Sequence, residues 1–215
     1  MKIIILLLLV SCSNVLKGQF PLSDTVYQEI NKLRATNNDT IIRLELPPFQ
    51  DMVIDTLPGL GIVYEYGLDY LIIKKSEKIY SLKYVYYCNE DCSKSKVSVS
   101  EPLIIASDSL FTLIRHSIGH IKNEEIYPYI YQVRNDNYSY YNTMISSHPT
   151  SYYVGIYVKE SDIIKLITMN SLVQFHNGFP ENLNYKANVA TALNTFFRLL
   201  SNCVDSIDKL YVFKP

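Results

Sequence analysis

The chain of 215 residues contains no tryptophan, seven glycines and four cysteines. Each shortage excludes something. The glycines fall in neither the Gly-x-x-x-x-Gly-Lys nor the Gly-x-Gly-x-x-Gly spacing, so no loop is laid out to cradle the phosphates of a nucleotide. Gly59 and Gly61 come close together in Leu57-Pro58-Gly59-Leu60-Gly61, which is a turn sequence. A nucleophile elbow, Gly-x-Ser-x-Gly, is also missing. An excess of one charge is lacking as well: 20 basic residues face 21 acidic ones, for a net charge of -1. The two signs alternate, as where Glu90 and Asp91 precede Lys94 and Lys96. Without a concentrated positive field, nucleic acid is not an expected partner. Nor is there a spanning helix, which needs roughly 20 apolar residues; the run Ile3 to Val10 has eight.

That short run has another use. Lys2, the apolar stretch Ile3 to Val10 and then small residues before a cysteine are the layout of a secretory signal peptide. Leu9-Val10-Ser11-Cys12 resembles the bacterial lipobox. The resemblance implies cleavage before Cys12, diacylation of its sulfur and acylation of the new amino terminus. Two or more acyl chains hold a protein on a membrane stably, whereas one does so only marginally. The competing layout is ordinary cleavage, after Ser13 or after Gly18. The organisation expected is a signal peptide over 1–11, the lipidated Cys12 with a short polar tether over 12–21, and one domain over 22–215. About 200 residues are enough to bury a full core without staples.

Hydrophobic residues make up 48% and charged residues 19%, which excludes a disordered chain. Tyrosine stands out, with 19 residues. Tyr64 and Tyr66, Tyr84 and Tyr86, Tyr127, Tyr129 and Tyr131, and Tyr138 and Tyr140 recur at every second position, which in a strand puts each set on one face. Such rows can build a protein-binding or sugar-binding surface, or fill ordinary strand positions that favour aromatics.

Periodicity predicts a helix over 25–35, with Thr25 and Gln28 as a capping box and Val26, Ile30 and Leu33 on one face. A second helix is expected over 108–124, capped by Ser107, with the stripe Leu110, Phe111, Ile114, Ile118 and Ile121. The strongest signal is Val189, Leu193, Phe196, Leu200, Cys203 and Ile207, stepping by four and three, which predicts one helix over 185–208. Strands are expected over 40–46, 62–66, 70–74, 79–88, 96–100, 127–133, 138–145 and 152–159. The run 163–169 fits strand and helix equally. In 40–46, Ile42, Leu44 and Leu46 point inward and Arg43 and Glu45 outward. Runs of strands with helices between the runs specify an α+β fold. The expectation is a largely antiparallel sheet with about three helices, the longest near the C-terminus and packed on the sheet.

Chemistry-bearing residues are sparse. Cys88 and Cys92 flank Asn89-Glu90-Asp91 after a strand, a spacing suited to a loop disulfide in an oxidising compartment, and closing so short a loop contributes only about 2 kcal/mol. Cys203, in the stripe of the last helix, is expected to be a small core residue. His116 and His120 stand four apart with Glu124 continuing the line, but Ser117 occupies the place of a metalloprotease base, and the pair lies opposite the apolar stripe. A zinc site of Cys88, Cys92, His116 and His120 would need spacing beyond that of familiar fingers. No metal and no cofactor are therefore expected. His148 and His176 sit in loops with no recognisable partner.

The leading expectation is an exported, lipid-anchored protein of a bacterial cell envelope, noncatalytic, meeting the membrane through its anchor and a protein or carbohydrate through its domain. The alternative is an envelope hydrolase whose site is assembled from residues distant in sequence, with His116, His120 and Glu124 as candidate catalytic residues.

Overall fold

The computed structural model describes residues 21–36, 40–46, 53–57, 61–89, 93–105, 108–144, 151–158 and 161–210. The signal segment with Cys12, and also Cys92, Ser107 and His148, lie outside them. In chain order the elements begin with α1 (Pro21–Ala35), β1 (Thr40–Leu46), β2 (Val53–Leu57), β3 (Gly61–Lys75) and β4 (Lys78–Cys88). Then come β5 (Ser95–Val99), β6 (Leu103–Ile105), α2 (Ser109–Asn123), β7 (Ile130–Asn135) and β8 (Tyr138–Thr143). β9 (Ser151–Val158), β10 (Ser161–Thr168), a 3-10 turn (Met169–Leu172), α3 (Tyr185–Val189) and α4 (Ala192–Leu210) complete the described chain.

Eight strands make one antiparallel sheet in the order β10-β9-β1-β3-β4-β5, with β2 beside β3 and β6 beside β4. The chain is α+β as expected, with α4, the longest helix, packed on the sheet. The 15-residue β3 serves two partners along one edge: its first part pairs with β2 and its second with β1. Two separate strands were expected there. Gly67 sits instead at a register shift against β4, a bulge that bends the strand without ending it. β2, whose Val53-Ile54-Asp55-Thr56-Leu57 does not alternate, and β6, with three residues, carry no periodic signal.

One face of the sheet carries Ile42, Leu44, Tyr70, Ile72, Val85 and Ile156, and the stripes of α2 and α4 cover it. Leu193, Phe196, Leu200 and Ile207 are buried there as expected. At the far end of α4, the Tyr70 hydroxyl and Lys83 Nζ both donate to Asp208 at 2.8 Å, tying the helix to the sheet. Cys203 is half-buried and packs against this core.

The other face is covered too. Val26 and Ile30 of α1 pack with Ile41, Leu71, Ile73, Tyr84 and Tyr157 in a second apolar layer. This overturns the outward placement of Arg43, which is 3% exposed and lies beneath α1. The helix begins at Pro21 and not at Thr25, because proline is favoured in a helix's first turn, where its missing N–H leaves no bond unmade. Thr25 therefore lies a turn inside the helix.

The long C-terminal helix is interrupted. α3 stops at Val189, and Thr191 caps α4, its hydroxyl accepting from the Asn194 N–H at 3.0 Å. Val189 consequently leaves the buried stripe and is 36% exposed. Asp108 stands at the start of α2, and its carboxylate accepts from Lys74 Nζ at 2.7 Å without capping the helix.

Candidate functional site

β7 and β8 form a second, two-stranded sheet that stands apart from the main one. Asn135, Asp136 and Asn137 supply its turn, with Asn135 Oδ1 accepting from the Asp136 N–H. All six residues of β8 are exposed, and Tyr138, Tyr140 and Tyr141 have 57%, 47% and 68% of their surface open. The strand's period of two places Tyr138 and Tyr140 on one face. Their rings stack there with centroids 5.8 Å apart and planes inclined by 26°. Tyr141 points to the opposite face. Val133, opposite Tyr140, and Asn135, opposite Tyr138, complete the ring-bearing side.

A protruding two-stranded ribbon is marginal on its own, so its base has to be held. Three asparagines hold it. Asn188, fully buried, accepts from the Tyr127 N–H through Oδ1, and its amide donates to the carbonyls of Tyr127 and Ser171. The Asn182 amide donates to the carbonyls of Ser171 and Val173, and that of Asn184 to the carbonyl of Pro128. The Leu183 N–H donates to Ile130 at the first position of β7. Buried Tyr129 donates to the Pro180 carbonyl, and the ring series Tyr129, Tyr131, Phe179 and His176 runs edge to face along this joint. Every polar group of the three amides that is named here finds a backbone partner, which makes the hairpin a braced projection.

The sequence candidates occupy a different place. His116 and His120 are exposed on α2, away from its buried stripe. Glu124 follows the helix, and its carboxylate is already engaged, accepting from the Leu193 N–H at 2.8 Å at the start of α4. The Glu124 and Lys122 carbonyls accept from Lys165 Nζ. Glu124 is thus joined to a helix terminus and to β10, and its N–H donates to the His120 carbonyl at the end of α2. Among the described residues no group of three or more His, Cys, Asp or Glu side chains converges as a metal site. Cys88 is buried and disulfide-bonded. Burial pushes the thiol of Cys203, the free cysteine of the described residues, up to about 11.

One ionic cluster escaped the sequence. Arg43 donates through Nε and Nη2 to the two oxygens of Asp69, at 2.7 and 2.6 Å, and through Nη2 to Glu45 at 2.8 Å. The Tyr27 ring caps the guanidinium at 4.7 Å and meets Tyr157 edge-on. Desolvation pushes the Tyr157 and Tyr84 phenols upward, and they stay neutral. The signal that could have located this cluster is the apolar stripe of α1, since a helix that buries one side needs a sheet face to bury it on. Arg43 and Asp69 are closed to solvent, and Tyr27 over the guanidinium joins α1 to the sheet. Among the described residues, no helix is long and apolar enough to cross a membrane. The chain has no match among protein-family models, curated proteins or solved structures.

Proposed function

We propose that the protein is exported, anchored by lipid at Cys12, and works in the bacterial envelope as a noncatalytic binding module whose contact surface is the β7–β8 hairpin. The observation that carries the binding reading is the exposed stack of Tyr138 and Tyr140 on a ribbon braced by buried asparagines. Rings with two torsions and a hydroxyl tip offer large contact area at little entropic cost, which is why tyrosine is favoured in recognition surfaces. A protein or a carbohydrate with an apolar face is the partner such a surface suits. The export reading is supported by the lipobox-like Leu9-Val10-Ser11-Cys12 and by the disulfide at Cys88, a state an oxidising compartment sustains. Cys92, three residues beyond Asn89, is the partner proposed for it. The hydrolase alternative gains no support from the geometry, because the Glu124 carboxylate serves a helix end.

Two measurements test the two halves. Cys12→Ser should move the protein from the detergent-extractable membrane fraction to the soluble one, and unchanged retention overturns the anchor. Affinity capture from membranes of the native host should recover a partner with the wild-type chain and lose it with Tyr138→Ser/Tyr140→Ser. Equal recovery by both overturns the hairpin as the contact surface.

A further inference from the structure

A cleft of about 420 Å3 lies between the 3-10 turn, α3 and α4, apart from the hairpin's stacked rings. It falls in the roughly 300–1,000 Å3 range of small-molecule sites. Its apolar wall is made by Met169, Leu172, Val189 and Phe197. Met169 and Val189 are each 36% exposed here, an opening that the interruption of the helix at Ala190 and Thr191 creates. Had α3 and α4 been continuous, Val189 would have continued the buried stripe of Leu193 and Phe196.

The polar wall comes from α4. Asn194, Arg198, Ser201 and Asn202 follow one another at i, i+4, i+7 and i+8, the spacing that places them in one row along the helix. Arg198 is the cation of this wall, and no acidic residue lines the cleft. None of the ion pairs among the described residues uses Arg198. The arrangement is an apolar slot with an uncompensated guanidinium at its rim, flanked by a hydroxyl and an amide that can add hydrogen bonds to an oxygen anion. Its complement is a small molecule with an apolar body and a single carboxylate.

We propose that this cleft binds a small free carboxylate with an apolar body, its anion on Arg198 and its body against Met169, Val189 and Phe197. The site is independent of the tyrosine hairpin and of the lipid anchor.

The test is calorimetric titration of the purified full-length chain with octanoate, octanamide and octyltrimethylammonium. Octanoate should bind saturably at one site. Arg198→Gln should weaken octanoate by about tenfold and bring it level with octanamide, since the charge-assisted contact is lost and the apolar contacts remain. Met169→Trp should fill the slot and abolish binding of both. Three results would overturn the proposal: no saturable octanoate binding to the wild type, octanamide or the ammonium compound binding the wild type as tightly as octanoate, or undiminished octanoate binding by Arg198→Gln. Arg198 is exposed, so its replacement leaves the fold in place.

Discussion

Arg43 and Asp69 meet as a two-pronged fork on the sheet face beneath α1, both side chains closed to solvent, with Glu45 taking the remaining guanidinium bond. A buried pair of this kind is strongly destabilising to break and much less so to replace. Measured well above pH 7, where the carboxyl is ionised, Asp69→Leu alone should lower unfolding stability by about 3 to 5 kcal/mol, because the guanidinium keeps its charge without its main partner. Arg43→Met combined with Asp69→Leu should restore most of that loss. Urea denaturation of the two single variants and the double variant gives the coupling; additive losses would mean that the two side chains act separately.

The same carboxyl makes stability depend on pH. Burial pushes Asp69 up to about 7, against the opposing pull of Arg43. Its value in the unfolded chain is about 3.9, so the folded protein holds the proton more tightly. The contribution is complete below about pH 4 and is lost as pH rises through about 7. The urea midpoint of the wild type minus that of Asp69→Asn, whose amide stands in for the protonated carboxyl, should therefore fall across that window. A difference that grows with pH would reverse the sign of the assignment.

Gly155 stands opposite Arg43 in the β1–β9 pair, and a methyl group there would meet the Tyr157 ring at 2.6 Å. Tyr157 is buried against α1, so its ring cannot swing clear without disturbing Tyr27. Gly155→Ala should lose about 1 to 3 kcal/mol by overpacking. Adding Tyr157→Leu should reduce the loss caused by the alanine. Thermal denaturation of the four proteins in this cycle checks it.

The roles of α2's polar residues separate in a similar way. Glu124→Ala removes an acceptor from the first turn of α4 and should lower stability by about 1 kcal/mol. His116→Ala and His120→Ala, on the exposed side, should each change it by no more than about 0.5 kcal/mol. A large loss at either histidine that added zinc reverses would establish a metal role for the pair.

Much of the architecture was legible in the residues because both periodicities are strong. β1 runs over Thr40 to Leu46 as the alternation predicted, and the stripe of α2 is buried apart from the half-buried Ile118. What escaped depends on partners distant in the chain. Alternation tells which residues of β1 share a face but not whether that face is covered, so Arg43 was assigned to solvent although α1 lies above it. Stepping by three and four cannot reveal that Thr191 caps a new helix or that Asn188 is drawn toward Tyr127. The cleft beside Arg198 was invisible for the same reason, since it exists only where the helix breaks. The tyrosine pair at 138 and 140 was readable as a common face, and its exposure was not.

The pairing of β1 with β9 matches Thr40 with Val158, whereas its pairing with β3 matches Thr40 with Lys74. As the chain folds, β1, β3 and β4 can assemble early as a meander, but β1 keeps an open hydrogen-bonding edge until β9, more than a hundred residues further on, is in place. Closing so long a loop is slow, and an unpaired edge is where strands of other molecules compete. The centre of the finished sheet is thus the last part of it to be sealed, and the yield of native protein should depend on how quickly β9 follows.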